Sequence, residues 1–177
     1  MERFILVLVL VGLCLLAGFG IYHGWRRRAL SQATLPQLAA EPTDLGPDLV
    51  EPVTGLYIST TTAGDWQDRI VAQGLGRRAA GAVRLSAEGV CIERDGESDV
   101  FLPTADLLEV TTAPGIAGKV VGMANGVLVI RWLLGPNKLE SGFRANDTAH
   151  QSAFIAAANT LIANSRGTEP QSKGAST

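Results

Sequence analysis

Stretches of different hydrophobic rhythm follow one another along the chain. Residues Phe4 to Tyr22 are apolar without a single charge. Nineteen residues rising about 1.5 Å each make roughly 28 Å of helix, the thickness of a bilayer's hydrocarbon core. A soluble helix of that length would show a polar face, and none is present. The run predicts one transmembrane helix spanning about residues 4–22. From Ala29 to Pro52 the pattern is lost. Pro36, Pro42, Pro47 and Pro52 recur too often for a helix among alanines, glutamines and acids.

Short apolar runs and alternations follow. Leu56-Tyr57-Ile58, Ala82 to Ser86, Val90-Cys91-Ile92, Val100-Phe101-Leu102, Leu107 to Thr112, Val127 to Leu134 and Leu139 to Phe143 read as strands. Asp95-Gly96 and Asn125-Gly126 supply hairpin turns between them. The last rhythm is helical: Phe154, Ala158, Leu161 and Ile162 recur at helix spacing behind the capping residues Asn146-Asp147-Thr148. Phe154 and Leu161 fall on one side and the polar Gln151 is expected to face water. Ser165 to Thr177 is polar and predicted disordered.

This order divides the chain into an anchor with basic flank (residues 1–28), an acidic Pro/Ala-rich linker (29–53), a domain (54–164) and a tail (165–177). The domain is predicted to be mainly β with one C-terminal α-helix. Many short strands with turns between them make an antiparallel sandwich or barrel. A final helix can plug the open end, which is the pleckstrin-homology-like (PH-like) arrangement. The linker, as a coil, would span about 25–30 Å, and its acids would keep it off an anionic inner leaflet.

Charge sets the expected orientation. Arg26-Arg27-Arg28 follow the apolar run closely, against Arg3 and Glu2 before it. The positive-inside rule places the arginines, and all that follows, on the cytoplasmic side, with Tyr22 and Trp25 as interfacial anchors. A cleaved signal peptide would instead export the domain, but Ala17-Gly18-Phe19-Gly20 is a poor cleavage site. Four of the 15 basic residues and one of the 17 acids precede Ala29, leaving 11 against 16 and a net charge near −5. That balance argues against nucleic acid as a partner. Of the two cysteines, Cys14 lies in the span and Cys91 in an apolar stretch, where it reads as a buried small hydrophobe.

Two glycine patterns imitate nucleotide sites. Gly74-Leu75-Gly76-Arg77-Arg78-Ala79, with Glu93 further on, matches a dinucleotide fingerprint. The stretch before Gly74 is too charged for a buried parallel strand, and Gly81 breaks the helix that should follow. Gly115-Ile116-Ala117-Gly118-Lys119-Val120 approaches a P-loop, but Val120 stands where magnesium needs a hydroxyl and no helix follows. His23 and His150 have no neighbours at metal-ligand spacing. Glu93, Asp95, Glu97 and Asp99 read as a solvated hairpin tip. No catalytic constellation emerges, and no cofactor is expected.

The segment from Gly55 to Ile70, with Thr60-Thr61-Thr62 and Asp65-Trp66-Gln67-Asp68-Arg69 inside it, is dense in polar and aromatic residues. Together with Gly115 to Val120 and Ser141-Gly142-Phe143-Arg144, it resembles a family of actinobacterial single-span membrane proteins with a bacterial PH-like domain. The resemblance implies a span, a linker and that domain, and labels such as export protein or transporter. Thr60, Thr61, Thr62, Asp65, Trp66, Asp68 and Arg69 are candidates for an interaction surface. The alternative gives them structural roles, with Asp65 and Asp68 bonded to turn backbone and Trp66 buried against the barrel.

The reading that results is a single-pass protein of the cell membrane, touching the lipid bilayer through its N-terminal helix. Its PH-like domain would be an adaptor without catalytic activity, binding a membrane or cytoplasmic protein partner. Lipid-head recognition needs a basic pocket, and Arg77, Arg78 and Arg84 are the only dense basic set. The alternatives are a lipid- or small-ligand-binding domain of an export assembly, an exported anchored domain, or a nucleotide-binding enzyme.

Overall fold

A computed structural model of the chain describes residues 11–13, 15–20, 22, 32, 35–116, 119–120, 126–147 and 149–167. Two units separate by their contacts, Met1–Leu35 and Pro36–Thr177. Residues 4–10, 14 and 21 of the expected span lie outside the described residues. Those described within it, 11–13, 15–20 and 22, are helical, and Val11, Leu13, Leu15, Leu16, Phe19 and Tyr22 are exposed. Among the described residues no helix is long and apolar enough to cross a membrane.

The second unit is built from β1 (Val53–Thr62), β2 (Asp65–Arg69), β3 (Ala79–Leu85), β4 (Gly89–Arg94), β5 (Val100–Pro103), β6 (Leu107–Ala113), β7 (Gly115–Ile116), β8 (Lys119–Val120), β9 (Val127–Leu134), β10 (Asn137–Ala145) and α1 (Gln151–Gly167). The main sheet runs β5-β4-β3-β1-β10-β9-β6, with β2 paired to β1 and a separate β7-β8 hairpin. All the pairings are antiparallel. β5 and β6 stand at opposite ends of that path, yet only the 3-10 turn Thr104–Asp106 separates them in sequence. The sheet must therefore curl until its two edges meet, as an open barrel.

Alternation decides what the barrel encloses. Val83 and Leu85, Val90 and Ile92, Val100 and Leu102, Ile130 and Trp132, with Leu139 and Phe143, are all essentially inaccessible. Gly55 and Gly81 face each other across β1 and β3. A Cβ on Gly55 would lie 2.1 Å from the Arg144 carbonyl oxygen, and one on Gly81 2.0 Å from that of Glu93. Backbones approach at this point closely enough to exclude any side chain, as at a barrel corner.

Helix α1 buries Gln151, Phe154, Ala158 and Ile162. Ile162 takes the inward place expected of Leu161, which is half-buried. Gln151 is buried as well, 2 % exposed, because it lies on the same side as Phe154 one turn later. The helix also closes the β6 edge. Asn159 Nδ2–H donates to the Val110 carbonyl at 2.7 Å while its Oδ1 accepts from Val110 N–H at 3.0 Å. Arg166 Nη2–H reaches the Leu107 and Leu108 carbonyls. A side-chain amide here replaces a neighbouring strand. The helix continues to Gly167, into the expected tail; residues 168–177 lie outside the described residues.

Residues 36–52, expected as part of a free coil, are instead laid along the sheet as a strap. Ala39 bridges Phe101 on the β5 edge. The Cys91 thiol donates to Glu41 Oε1 at 3.5 Å, Arg84 Nε–H to Asp48 Oδ1 at 3.1 Å, and Leu49 N–H to the Leu85 carbonyl at 2.8 Å. Arg84, Cys91 and Phe101 are cross-strand neighbours, so the strap follows one row of the outer face. The prolines that forbid a helix are compatible with such an extended edge segment. Glu41 and Asp48 have their partners on the sheet, Asp44 accepts from Gly46 N–H within the strap, and Glu51 pairs with His150.

Both nucleotide-like patterns fall on other geometry. After Gly76 comes strand β3, so no helix N-terminus exists there to hold a pyrophosphate. Gly115–Ile116 and Lys119–Val120 pair as the β7-β8 hairpin.

Candidate functional site

Register slips between Tyr57 and Ser59 on β1, leaving Ile58 as the extra residue of a bulge. Without it, Tyr57 and Thr60 would point to opposite faces. With it they meet inside the barrel: their hydroxyl oxygens are 2.7 Å apart. Counting protons fixes the direction of the chain of bonds that passes through them. Trp132 Nε1–H is a donor only and gives to Ser141 Oγ at 3.0 Å. At the other end the Tyr57 hydroxyl gives its one proton to the Leu75 carbonyl at 2.7 Å. Ser141 must then donate to Thr60, 2.7 Å away, and Thr60 to Tyr57. The relay runs Trp132, Ser141, Thr60, Tyr57, Leu75, and all its side chains are buried. Burial pushes the Tyr57 phenol up to about 12, against the lowering influence of Thr60 and Arg94.

Leu75 O also accepts from Thr60 N–H at 2.9 Å, so the relay pins the loop between β2 and β3 to β1. That loop forms one wall of a cleft of about 270 Å³ lined by Val71, Gln73, Gly74, Arg77, Arg94, Glu97 and Ser98. The opposite wall is the β4-β5 hairpin, whose Gly96 takes φ +77 as the Asp95-Gly96 turn requires.

Arg94 is the chemical centre of the cleft. It follows Val90 and Ile92 in the inward phase of β4 and is 3 % exposed. Its guanidinium lies 5.1 Å from the centroid of the Tyr57 ring, within cation–π range. Nε–H donates to the Ser98 carbonyl at 2.9 Å, Nη2–H to the same oxygen, and Nη1–H to the Gly74 carbonyl at 2.8 Å. All these acceptors are neutral. Among the described residues no carboxylate forms an ion pair with it. A guanidinium has five N–H donors, so two remain. Asp99 accepts from the Arg94 backbone N–H instead, and Glu97 pairs with Arg77 at 3.0 Å on the rim. Buried charge without a direct ion pair is costly, and here three carbonyl bonds and the Tyr57 ring offset that cost.

The residues expected to form an interaction surface lie together on the paired strands β1 and β2, in different environments. Thr60 belongs to the relay and Thr61 is fully buried. Thr62, half-buried, donates to Asp68 Oδ2 at 2.6 Å. Asp65 accepts from Gln67 N–H at 3.0 Å and so shapes its own turn, while Arg69 is exposed at the end of β2. Trp66 lies on β2, and its side chain is outside what the structure describes. The acidic tip is engaged: Glu93 pairs with Arg84, Glu97 with Arg77, and Asp99 caps Arg94. Cys91 is buried beneath the strap rather than in the barrel, and burial together with Glu41 pushes its thiol up to about 12, which leaves it unreactive. Arg94 itself was missed. Its signal is an arginine two residues after Ile92, on the apolar phase of a strand.

Strand order, curl and terminal helix define a PH-like domain. Residues 35–159 match the bacterial PH domain-like family, and the chain belongs to that family. Comparison with curated proteins gives no significant match. Domains of this fold are in general non-enzymatic interaction modules, and among the described residues no set of His, Cys, Asp and Glu could hold a metal ion.

Proposed function

We propose that the chain is a membrane-anchored, non-catalytic adaptor whose Arg94 cleft takes a carboxylate presented by a protein partner at the cytoplasmic face. The observation that carries this reading is the buried, unpaired guanidinium with two spare donors. A carboxylate matches it in charge and in fork geometry. An inositol polyphosphate matches less well, because the cleft's other cation, Arg77, is already neutralised by Glu97. Anchoring is supported by the charge-free run from Phe4 to Tyr22 and the arginines behind it.

Arg94 Nε–H can be followed by nitrogen-15 NMR of the full chain in detergent micelles, titrated with an acetylated tetraglutamate peptide or with inositol trisphosphate. The peptide should shift Arg94, Gly74 and Ser98 saturably, and Arg94→Met should abolish the response. Stronger binding of the inositol phosphate, or peptide shifts confined to other arginines, would overturn the carboxylate reading. For orientation, alkaline phosphatase fused after Thr177 should be inactive and β-galactosidase active. The reverse result would place the domain outside.

A further inference from the structure

The strap and the cleft share a residue. Gln73 is the one non-glycine among the described residues in the left-handed region, with φ 54. Such a conformation persists in a residue with a Cβ only where its surroundings fix it. The strap supplies two of the bonds that fix it, beside those that Gly74 and Leu75 make. Gln73 Oε1 accepts from Leu38 N–H at 2.8 Å, and Nε2–H donates to the Pro36 carbonyl at 2.7 Å. The amide clasps the strap backbone at both ends, as a neighbouring strand would. The next residue, Gly74, also has positive φ and turns its carbonyl onto Arg94 Nη1. Three links therefore join strap to guanidinium: the Gln73 amide, the left-handed turn and the Gly74 carbonyl.

We propose that residues 36–38 are an autoinhibitory latch on the Arg94 cleft. While the strap is docked, the turn is held and Gly74 keeps a third donor, leaving an incoming anion only the two spare ones. When the strap leaves, Gln73 relaxes out of the left-handed region, Gly74 follows, and the guanidinium is released to the ligand. The two hydrogen bonds of the clasp are solvent-exposed and each is individually weak, so release is within reach of a modest pull. The strap leads in sequence towards the apolar run at residues 4–22, so displacement on that side reaches Gln73 before any other cleft residue. By linkage, an anion that takes Nη1 from Gly74 loosens the strap in turn. The latch rests on the anion-site reading above but is tested without any ligand.

Phenylglyoxal, which condenses with guanidinium groups, reads Arg94 directly in the full chain when peptides are resolved by mass spectrometry. Hydrogen exchange over residues 36–42 reads the strap in parallel. Leu38→Pro removes the strap's donor without touching the cleft. It should speed strap exchange and raise Arg94 modification about fivefold or more, the lower end of ordinary coupling between two sites. Arg77, whose side chain is 71 % exposed, should react as in the parent. Gln73→Ala should do the same. Gln73→Gly frees the strap but adopts positive φ without strain, so Arg94 should react as slowly as in the parent. Faster strap exchange in Leu38→Pro with unchanged Arg94 reactivity would overturn the latch, as would unchanged strap exchange. Equal Arg94 reactivity in Gln73→Gly and Gln73→Ala would refute transmission through the turn. Should Gln73→Ala fail to fold, Leu38→Pro decides alone. Failure of the carboxylate titration would leave these rates as they are, so the two readings fail separately.

Discussion

Replacing Thr60 with valine tests the proton count in the buried relay. The two side chains have the same shape, so no cavity forms, and only the hydroxyl is lost. Ser141 Oγ–H then has no acceptor, and the Tyr57 oxygen loses a donor. Ser141 is 1 % exposed and Tyr57 fully buried, so water cannot replace either partner cheaply. A buried donor left unsatisfied costs about 1–3 kcal/mol. Adding the second lost bond and subtracting the gain from an extra methyl leaves roughly 2–3 kcal/mol. A domain of this size has about 5–15 kcal/mol in all and melts some 3–5 °C lower per kcal/mol lost. Thermal unfolding of the full chain, followed by near-ultraviolet circular dichroism, should show Thr60→Val some 6–15 °C below the parent. Thr60→Ser keeps the hydroxyl and should fall much closer to it. Ser141→Ala breaks the same bond from the other side, so the double variant should cost less than the sum of the singles by about 1 kcal/mol or more. If Thr60→Val melted with Thr60→Ser, or the double variant were strictly additive, the relay would not be continuous as drawn.

Phe154→Ala should destabilise by about 3–5 kcal/mol through lost burial and the cavity left behind; a melt like the parent's would remove α1 from the core. Gly81→Ala would bring a Cβ against the Glu93 carbonyl oxygen, at 2.0 Å in the undistorted backbone, and should unfold or loosen the β3-β4 pairing; native-like exchange protection there would refute the close approach. Above neutrality, stability should fall as pH rises. Cys91 binds its proton more tightly folded than unfolded, with its pKa raised from 9.0 to about 12, and Tyr57 likewise from 10.0 to about 12. The native state therefore holds protons that the unfolded state has released. The loss begins near pH 9 with Cys91, and Cys91→Ala should delay the onset in a urea titration series. An unchanged onset would show that the thiol is not buried in solution.

Most of the sheet was legible because its strands alternate cleanly. Val127–Leu134 stands where its pattern put it, and the Asp95-Gly96 turn has the φ that its glycine allows. The helix was legible from Phe154, Ala158 and Ile162. What resisted was whatever depended on a partner distant in sequence. The proline-rich strap has no periodicity of its own, and its place is set by Phe101, Cys91 and Arg84, more than 30 residues away. Thr60 looked like surface because threonine is usually exposed. A one-residue bulge at Ile58 turned it inward instead, and nothing local announces a bulge. Arg94 was overshadowed by the denser Arg77-Arg78 pair, because density is visible in a sequence and burial is not.

Strand β1 pairs along its length with β10, from Gly55 opposite Ala145 to Thr62 opposite Leu139. On a ribosome that pairing has an order in time. β1 emerges early, and the strand that completes it is made last, before only α1. At 5–20 residues per second, the roughly 80 residues between them keep β1 waiting about 4–16 s. Meanwhile the meander from β1 through β3 and β4 to β5 can pair, and β6 with β9 after it, while the β10 side of β1 stays open. β10 lies between β1 and β9 and so joins the two portions of the sheet. Truncations ending before residue 137 would be caught in that waiting state.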